Sequence, residues 1–172
     1  VNMDGLEWRR AKWGFCGRAW LRRMEREALR RAQRVVFDSA AVRAVVLGAA
    51  VPGAAREEGV SVIEYGAELE LEPDPAVLTS LGLPAQGYYL SVARIEPENH
   101  VLEILRAHAR TGTPRELLVI GDLARAGRYG ATCRAAAGAG ARFLGAVFDR
   151  RTLFALRRDC AAALHGHSVG GT

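Results

Sequence analysis

Three short stretches hold the residues best suited to chemistry. The first, Ala93–His100, reads A-R-I-E-P-E-N-H. Arg94 leaves an apolar run, Pro97 marks a turn, and a helical pattern opens near Val101. Free N–H groups at a helix N-terminus beside a guanidinium suit an anion, a diphosphate above all. The competing reading pairs Arg94 with Glu96 or Glu98 on the surface. The second stretch, His165–Thr172, reads H-G-H-S-V-G-G-T. A glycine-lined loop with His165, His167 and Ser168 can hold a sugar or phosphate through backbone amides and imidazoles. The plain alternative is a polar loop at a strand end. A metal would need a third ligand, and none stands at suitable spacing. Gly166 to Gly170 spell G-x-S-x-G, the nucleophile elbow of serine hydrolases, but the triad's acid and histidine should follow the serine in the chain and do not follow Ser168 here. The third stretch opens the sequence, N-M-D-G-L-E-W-R-R-A-K-W-G. Asp4 or Glu7 can act as a base or hold substrate hydroxyls. Otherwise they form an Asp-Gly turn and solvated charges.

The elements that must position these residues alternate between strand and helix. Trp20, Leu21, Met24, Ala28 and Ala32 recur at helical steps over 17–34, with Arg18, Arg22, Arg26 and Arg30 on another flank. Residues 34–38 form an apolar strand, and Ser39 is the expected N-cap of a helix over 40–50. Val51-Pro52-Gly53 breaks that helix, and residues 60–65 form the next strand. An acidic, proline-bearing linker covers 67–85, with a short helix over 75–81. Strands are expected over 88–93, 116–120, 141–144 and 161–165, and helices over 100–110, 129–137 and 150–158. Short joints between alternating elements predict βαβ units and parallel sheets. In such sheets ligands bind beyond the carboxyl ends of strands. Arg94 and Glu96, Gly121 and Asp122, Gly145, and the His165–Gly171 loop all stand at such ends.

Composition narrows the classes. The chain has 172 residues, enough for one domain or pieces of two. No apolar run reaches the ~20 residues that span a bilayer. Three widely spaced cysteines, Cys16, Cys133 and Cys160, suit reduced thiols in a cytoplasm better than a disulfide framework. No signal peptide is visible, and the two ends suggest an excised fragment. Residues 1–34 hold ten Lys/Arg against four Asp/Glu, a net of +6, and residues 35–172 hold fourteen against fifteen, a net of −1. All three tryptophans share that basic segment, so an anionic membrane surface is one expected contact for residues 8–34. The same tryptophans can equally face a core, and no motif supports nucleic-acid binding.

The three stretches, with V-F-D-S, V-I-E-Y-G-A-E, V-I-G-D and F-L-G-A-V in sequence order between them, resemble rhamnosyltransferase-like proteins of retaining glycosyltransferase family four. The resemblance covers nearly the whole chain and is most specific at its two ends. It implies a GT-B fold, two Rossmann-like parallel-sheet domains, both incomplete here. Residues 1–66 would be the second half of the N-terminal, acceptor-side domain. Residues 67–85 would be the linker, and 86–172 the first half of the nucleotide-sugar domain.

The resemblance also implies roles. Arg94 matches an arginine placed on the donor diphosphate. The wider family has a lysine five residues later, where this chain has Asn99, so one cation is removed or must come from elsewhere. Gly121 and Asp122 match a loop near the nucleotide. His165, His167, Ser168, Gly170 and Gly171 match the loop near the donor sugar and phosphates. Asp4 and Glu7 match an acidic cluster facing the acceptor, and Asp4, Glu7 and His167 are the catalytic candidates. The glutamate that holds the donor ribose falls past Thr172. The implied reaction is retaining transfer of a sugar, rhamnose or another hexose, from a nucleoside-diphosphate donor such as dTDP-rhamnose. The acceptor would be a glycan or lipid-linked acceptor of cell-envelope polysaccharide synthesis, at the cytoplasmic face of the membrane. No metal and no cofactor besides the donor is implied, and the fragment alone is expected to be inactive and poorly soluble. A non-catalytic nucleotide-sugar-binding module and a serine hydrolase using Ser168 are the alternatives.

Overall fold

A computed structural model of the chain describes residues 1–3, 5–10, 12–48, 59–66, 72–74 and 76–168. The chain divides into two units, Val1–Ala67 and Glu68–Ser168.

Unit 1 is built on three parallel strands in the order β1 (Asn2–Met3), β2 (Val35–Phe37), β3 (Val60–Val62). Two helices accompany them, α1 (Phe15–Arg31) and α2 (Ala40–Gly48). Val35 and Phe37 point to one face of β2, where they pack with Leu6, Leu29, Val42 and Val46. The two-residue strand β1 has no periodic signal in the sequence, yet it pairs with β2 through Asn2↔Val36 and Met3↔Phe37. The inward stripe of α1 runs through Leu21, Glu25, Ala28 and Leu29. Trp20 and Met24, for which the sequence left open a buried face or a membrane contact, are exposed, as is Phe15. The reason is a rotation of the stripe by one residue. Glu25 turns inward because the indole Nε1 of Trp8 donates to its carboxylate at 3.1 Å. Ser39 caps α2 as expected, accepting from the N–H of Ala41 at 3.2 Å. The break at 51–53 lies outside the described residues.

Unit 2 holds four parallel strands in the order β6 (Ala141–Gly145), β5 (Glu116–Ile120), β4 (Tyr88–Val92), β7 (Ala162–Ala163). Its helices are α3 (Ala76–Leu81), α4 (Val101–Thr111), α5 (Gly127–Ala136) and α6 (Arg150–Arg158). Successive residues of β5 serve opposite faces. Leu117 and Val119 pack with Val101, Leu105 and Cys133 of α4 and α5. Leu118 and Ile120 pack with Ala155 and Leu156 of α6 and Val77 of α3. A parallel sheet covered on both faces needs such a continuous apolar strand. The short helix expected within the stretch 67–85 is α3, which contributes Val77, with Leu83 beyond it, to this core. Asp149 caps α6 by accepting from the N–H of Thr152 at 2.7 Å. The three cysteines carry free thiols, Cys16 exposed and the other two buried. Among the described residues, no helix is long and apolar enough to cross a membrane.

Candidate functional site

The strand order of unit 2 places the first strand, β4, beside the last, β7, and the chain winds outward to β5 and β6 on the other side. That is a topological switch point, the place where open parallel sheets bind ligands at the carboxyl ends of their strands. The loop after β4 and the loop after β7 meet there. Ser168 donates both its N–H (2.9 Å) and its Oγ–H (3.0 Å) to the carbonyl of Glu98. A Cβ on Gly166 would fall 2.7 Å from the carbonyl oxygen of Asn99 and 3.1 Å from the Cβ of His100, so only glycine allows this approach.

Next to this junction, a cleft of about 600 Å³ opens across the ends of β4, β5 and β6, within the usual volume of a ligand site. Arg94 and Glu96 enter it from β4, Gly121, Asp122 and Arg125 from β5, and Val147 and Phe148 from β6. Arg94 is 70% exposed, and its nearest carboxylate oxygen, on Glu96, is 3.8 Å away. The ion pair offered as the plain reading is thus present but long and in water, where such pairs contribute little. Gly121 is required by packing. A Cβ there would lie 2.3 Å from the Ala93 carbonyl oxygen and 2.9 Å from Ile95. Asp122 folds its own loop, its Oδ1 accepting from the N–H groups of Ala124 (3.0 Å) and Arg125 (3.2 Å).

Asn99 behaves differently from its neighbours. It is 3% exposed. Its amide donates to the carbonyl of Arg94 at 2.7 Å. The side chain that stands five residues after the arginine is therefore a brace for the arginine's backbone. Nor is the helix N-terminus of α4 wholly open, because the N–H of Leu102 donates to the Tyr129 hydroxyl at 3.1 Å.

His165 and His167 stack with ring centroids 4.0 Å apart. His165 is exposed, whereas the Nδ1 of His167 is buried without a hydrogen-bond partner. Burial, then the nearby charges of His165 and Arg94, hold the His167 imidazolium below its ordinary range. At neutral pH its ring is an uncharged donor and acceptor. Ser168 has its hydroxyl proton directed to a carbonyl, with no base on it, so the described geometry lacks a hydrolase elbow. Gly170 and Gly171 lie outside the described residues.

In unit 1, Glu7 is surrounded by donors. Trp13 Nε1 donates to its carboxylate at 3.0 Å, Lys12 Nζ lies at 2.7 Å and Arg10 Nη1 at 3.3 Å. Partial burial pushes its carboxyl up. Hydrogen bonds from Lys12, Trp13 and Arg10 outweigh that and hold it below the usual carboxylate range. Glu7 is thus an ionised acceptor at neutral pH, unsuited to donating a proton. Asp4 lies outside the described residues.

Three residues in these regions were not singled out from sequence. Arg125 and Phe148 line the cleft with side chains open to water. Arginine is so common here that its count says nothing, and the signal that could have found Arg125 is the Asp122 turn three residues before it. Asp38 follows β2 and is buried with both carboxylate oxygens lacking a partner, an unfavourable placement for an ionisable group.

No protein-family model and no curated protein sequence matches the chain. Solved structures do. HepE of Anabaena, in complex with UDP and glucose, superposes with a TM-score of 0.68 at 21% identity over 85% of this chain and 41% of its own. Sucrose-phosphate synthase from Thermosynechococcus elongatus gives 0.68 at 18% identity, over 90% of this chain and 41% of its own. TarM gives 0.63 at 10% identity, over 99% of this chain and 32% of its own. The chain spans about two fifths of the length of the first two. Its two parallel-sheet units, one of three strands and one of four, have the α/β fold of GT-B glycosyltransferases.

Proposed function

We propose that the chain belongs to a retaining, rhamnosyltransferase-like glycosyltransferase of family four. In this reading unit 2 holds a nucleoside-diphosphate sugar, with dTDP-rhamnose the donor that the family resemblance implies. The observation that carries the reading is the cleft beyond β4, β5 and β6, where Arg94 stands exposed beside the switch point. The likeness to HepE, a structure that holds UDP and glucose, supports it.

Arg94 would neutralise the leaving diphosphate, and Val147 and Phe148 offer an apolar wall to the base. The uncharged His167, Ser168 and the glycines after it would lie along the donor sugar. The bond from the sugar to the diphosphate breaks and an acceptor hydroxyl oxygen takes its place on the same face of the sugar, its proton passing to the departing diphosphate. Catalysis is then positioning plus stabilisation of the charge left on the diphosphate. Asp4 and the ionised Glu7, in unit 1, would receive the acceptor, a glycan or lipid-linked sugar of the cell envelope. Residues 1–66 would belong to the acceptor-side domain and 86–172 to the donor-side domain. The exposed Phe15 and Trp20 on the arginine-rich helix α1 would rest on an anionic membrane at its cytoplasmic face.

The test is transfer or hydrolysis of dTDP-rhamnose and UDP-glucose by the intact protein and its Arg94→Ala variant. A loss of turnover of about 10²-fold is expected, the scale for removing one preorganised donor to developing charge. Unchanged turnover in the variant would remove Arg94 from the reaction. Tight binding of donor without any turnover would favour a non-catalytic binding module.

A further inference from the structure

We propose that Arg125 is the second phosphate-binding cation of the unit 2 cleft, engaging the same diphosphate as Arg94, and that Asp122 holds it ready while the cleft is empty. The inference rests on the nucleoside-diphosphate reading of that cleft.

The need for a second cation is electrostatic. A diphosphate brings more than one negative charge, and a single water-exposed guanidinium leaves much of it unbalanced. Asn99 cannot help. It is neutral, buried, and its amide is committed to the Arg94 carbonyl at 2.7 Å. Among the described residues lining the cleft, Arg94 and Arg125 are the two cations, facing Glu96 and Asp122.

The placement of Arg125 is set locally. Asp122 Oδ1 accepts from the backbone N–H of both Ala124 and Arg125, which fixes the Arg125 backbone directly beyond the end of β5. Asp122 Oδ2 then lies 3.3 Å from the Arg125 Nε. The guanidinium is 90% exposed, so this pair sits in water and contributes little. A phosphate can displace such a partner at small cost and offers bidentate geometry that the single Nε contact lacks. One aspartate thus builds the turn with one oxygen and parks the cation with the other.

The experiment is calorimetric titration of the protein with UDP and, separately, with uridine. Arg125→Ala is expected to weaken UDP binding at least tenfold and to leave uridine binding unchanged, with Arg125→Lys recovering part of the loss. Because the side chain is exposed, the variant should fold as the parent does, checked by its melting temperature. Arg125→Ala that binds UDP like the parent, while Arg94→Ala loses it, overturns the role of Arg125 alone. Equal loss of UDP and uridine in Arg125→Ala also overturns it, because the effect is then not on phosphate. A parent protein that binds neither UDP nor dTDP overturns the nucleotide reading itself.

Discussion

Charged residues gather beyond strand ends in both units, and the two gatherings are wired in opposite ways. Beyond β1, the Glu7 carboxylate is surrounded by Trp13, Lys12 and Arg10, and Trp8 lies between Arg9 and Arg22 with the Arg22 guanidinium 4.1 Å from its ring centroid. Beyond β4 and β5, the polar groups that hold the loops together are mostly backbone, Asn99 and Asp122, and the guanidinium groups of Arg94 and Arg125 are left in water. Side chains that satisfy one another hold a shape. Cations placed by their backbones, with heads held only by exposed ion pairs, can exchange those partners for a ligand. The comparison fits the proposal that the cleft of unit 2 takes the anionic donor, while the hydrogen-bonded cluster of unit 1 holds Glu7 in one place.

The sharpest way to break this comparison is to attack the brace. Asn99→Asp replaces a donor with a carboxylate oxygen against the Arg94 carbonyl, inside the protein. Loss of that bond with a buried acceptor left over costs ~1–3 kcal/mol, more for a charge. A change of that size moves the melting temperature by several degrees in a unit this small. UDP affinity should fall as well, because Arg94 loses its fixed origin. Melting and titration curves like those of the parent would show that Asn99 braces nothing.

A smaller effect tests the unit 1 cluster. The Glu7 carboxyl is held below its ordinary range in the folded chain. Its contribution to stability is therefore present above the unfolded carboxyl value, near 4.5, and is lost as pH falls through the lower folded value. Because the side chain is 44% exposed, the contribution is modest. Thermal melts between pH 7 and pH 3 should show Glu7→Gln losing less stability on acidification than the parent. Identical pH dependence would mean that the cluster does not hold the carboxylate.

Much of this arrangement was legible in the sequence, for physical reasons. The runs at 88–92 and 116–120 are apolar throughout because both faces of the sheet are covered, and alternation with helices then fixes parallel pairing. The ends of those strands named the loops that line the cleft. Asn99 was not legible as a brace, because a polar residue in a turn looks the same whether it faces a ligand or the backbone. Its burial is a tertiary fact. The orientation of Trp20 stayed open because a stripe of Arg and Trp at helical spacing has two possible inward faces, and the burial of Leu29 and the Trp8–Glu25 bond select one. Strand β1 was missed because two residues carry no period.

The central claim is that the cleft of unit 2 takes a nucleoside diphosphate and the cluster of unit 1 does not. Hydrogen exchange with and without saturating UDP addresses both halves at once. The account predicts slowed exchange in the loops at 93–100 and 121–126 and near 146–148, with residues 5–10 unchanged. Protection confined to residues 5–10, or none in the loops beyond β4 and β5, would contradict it.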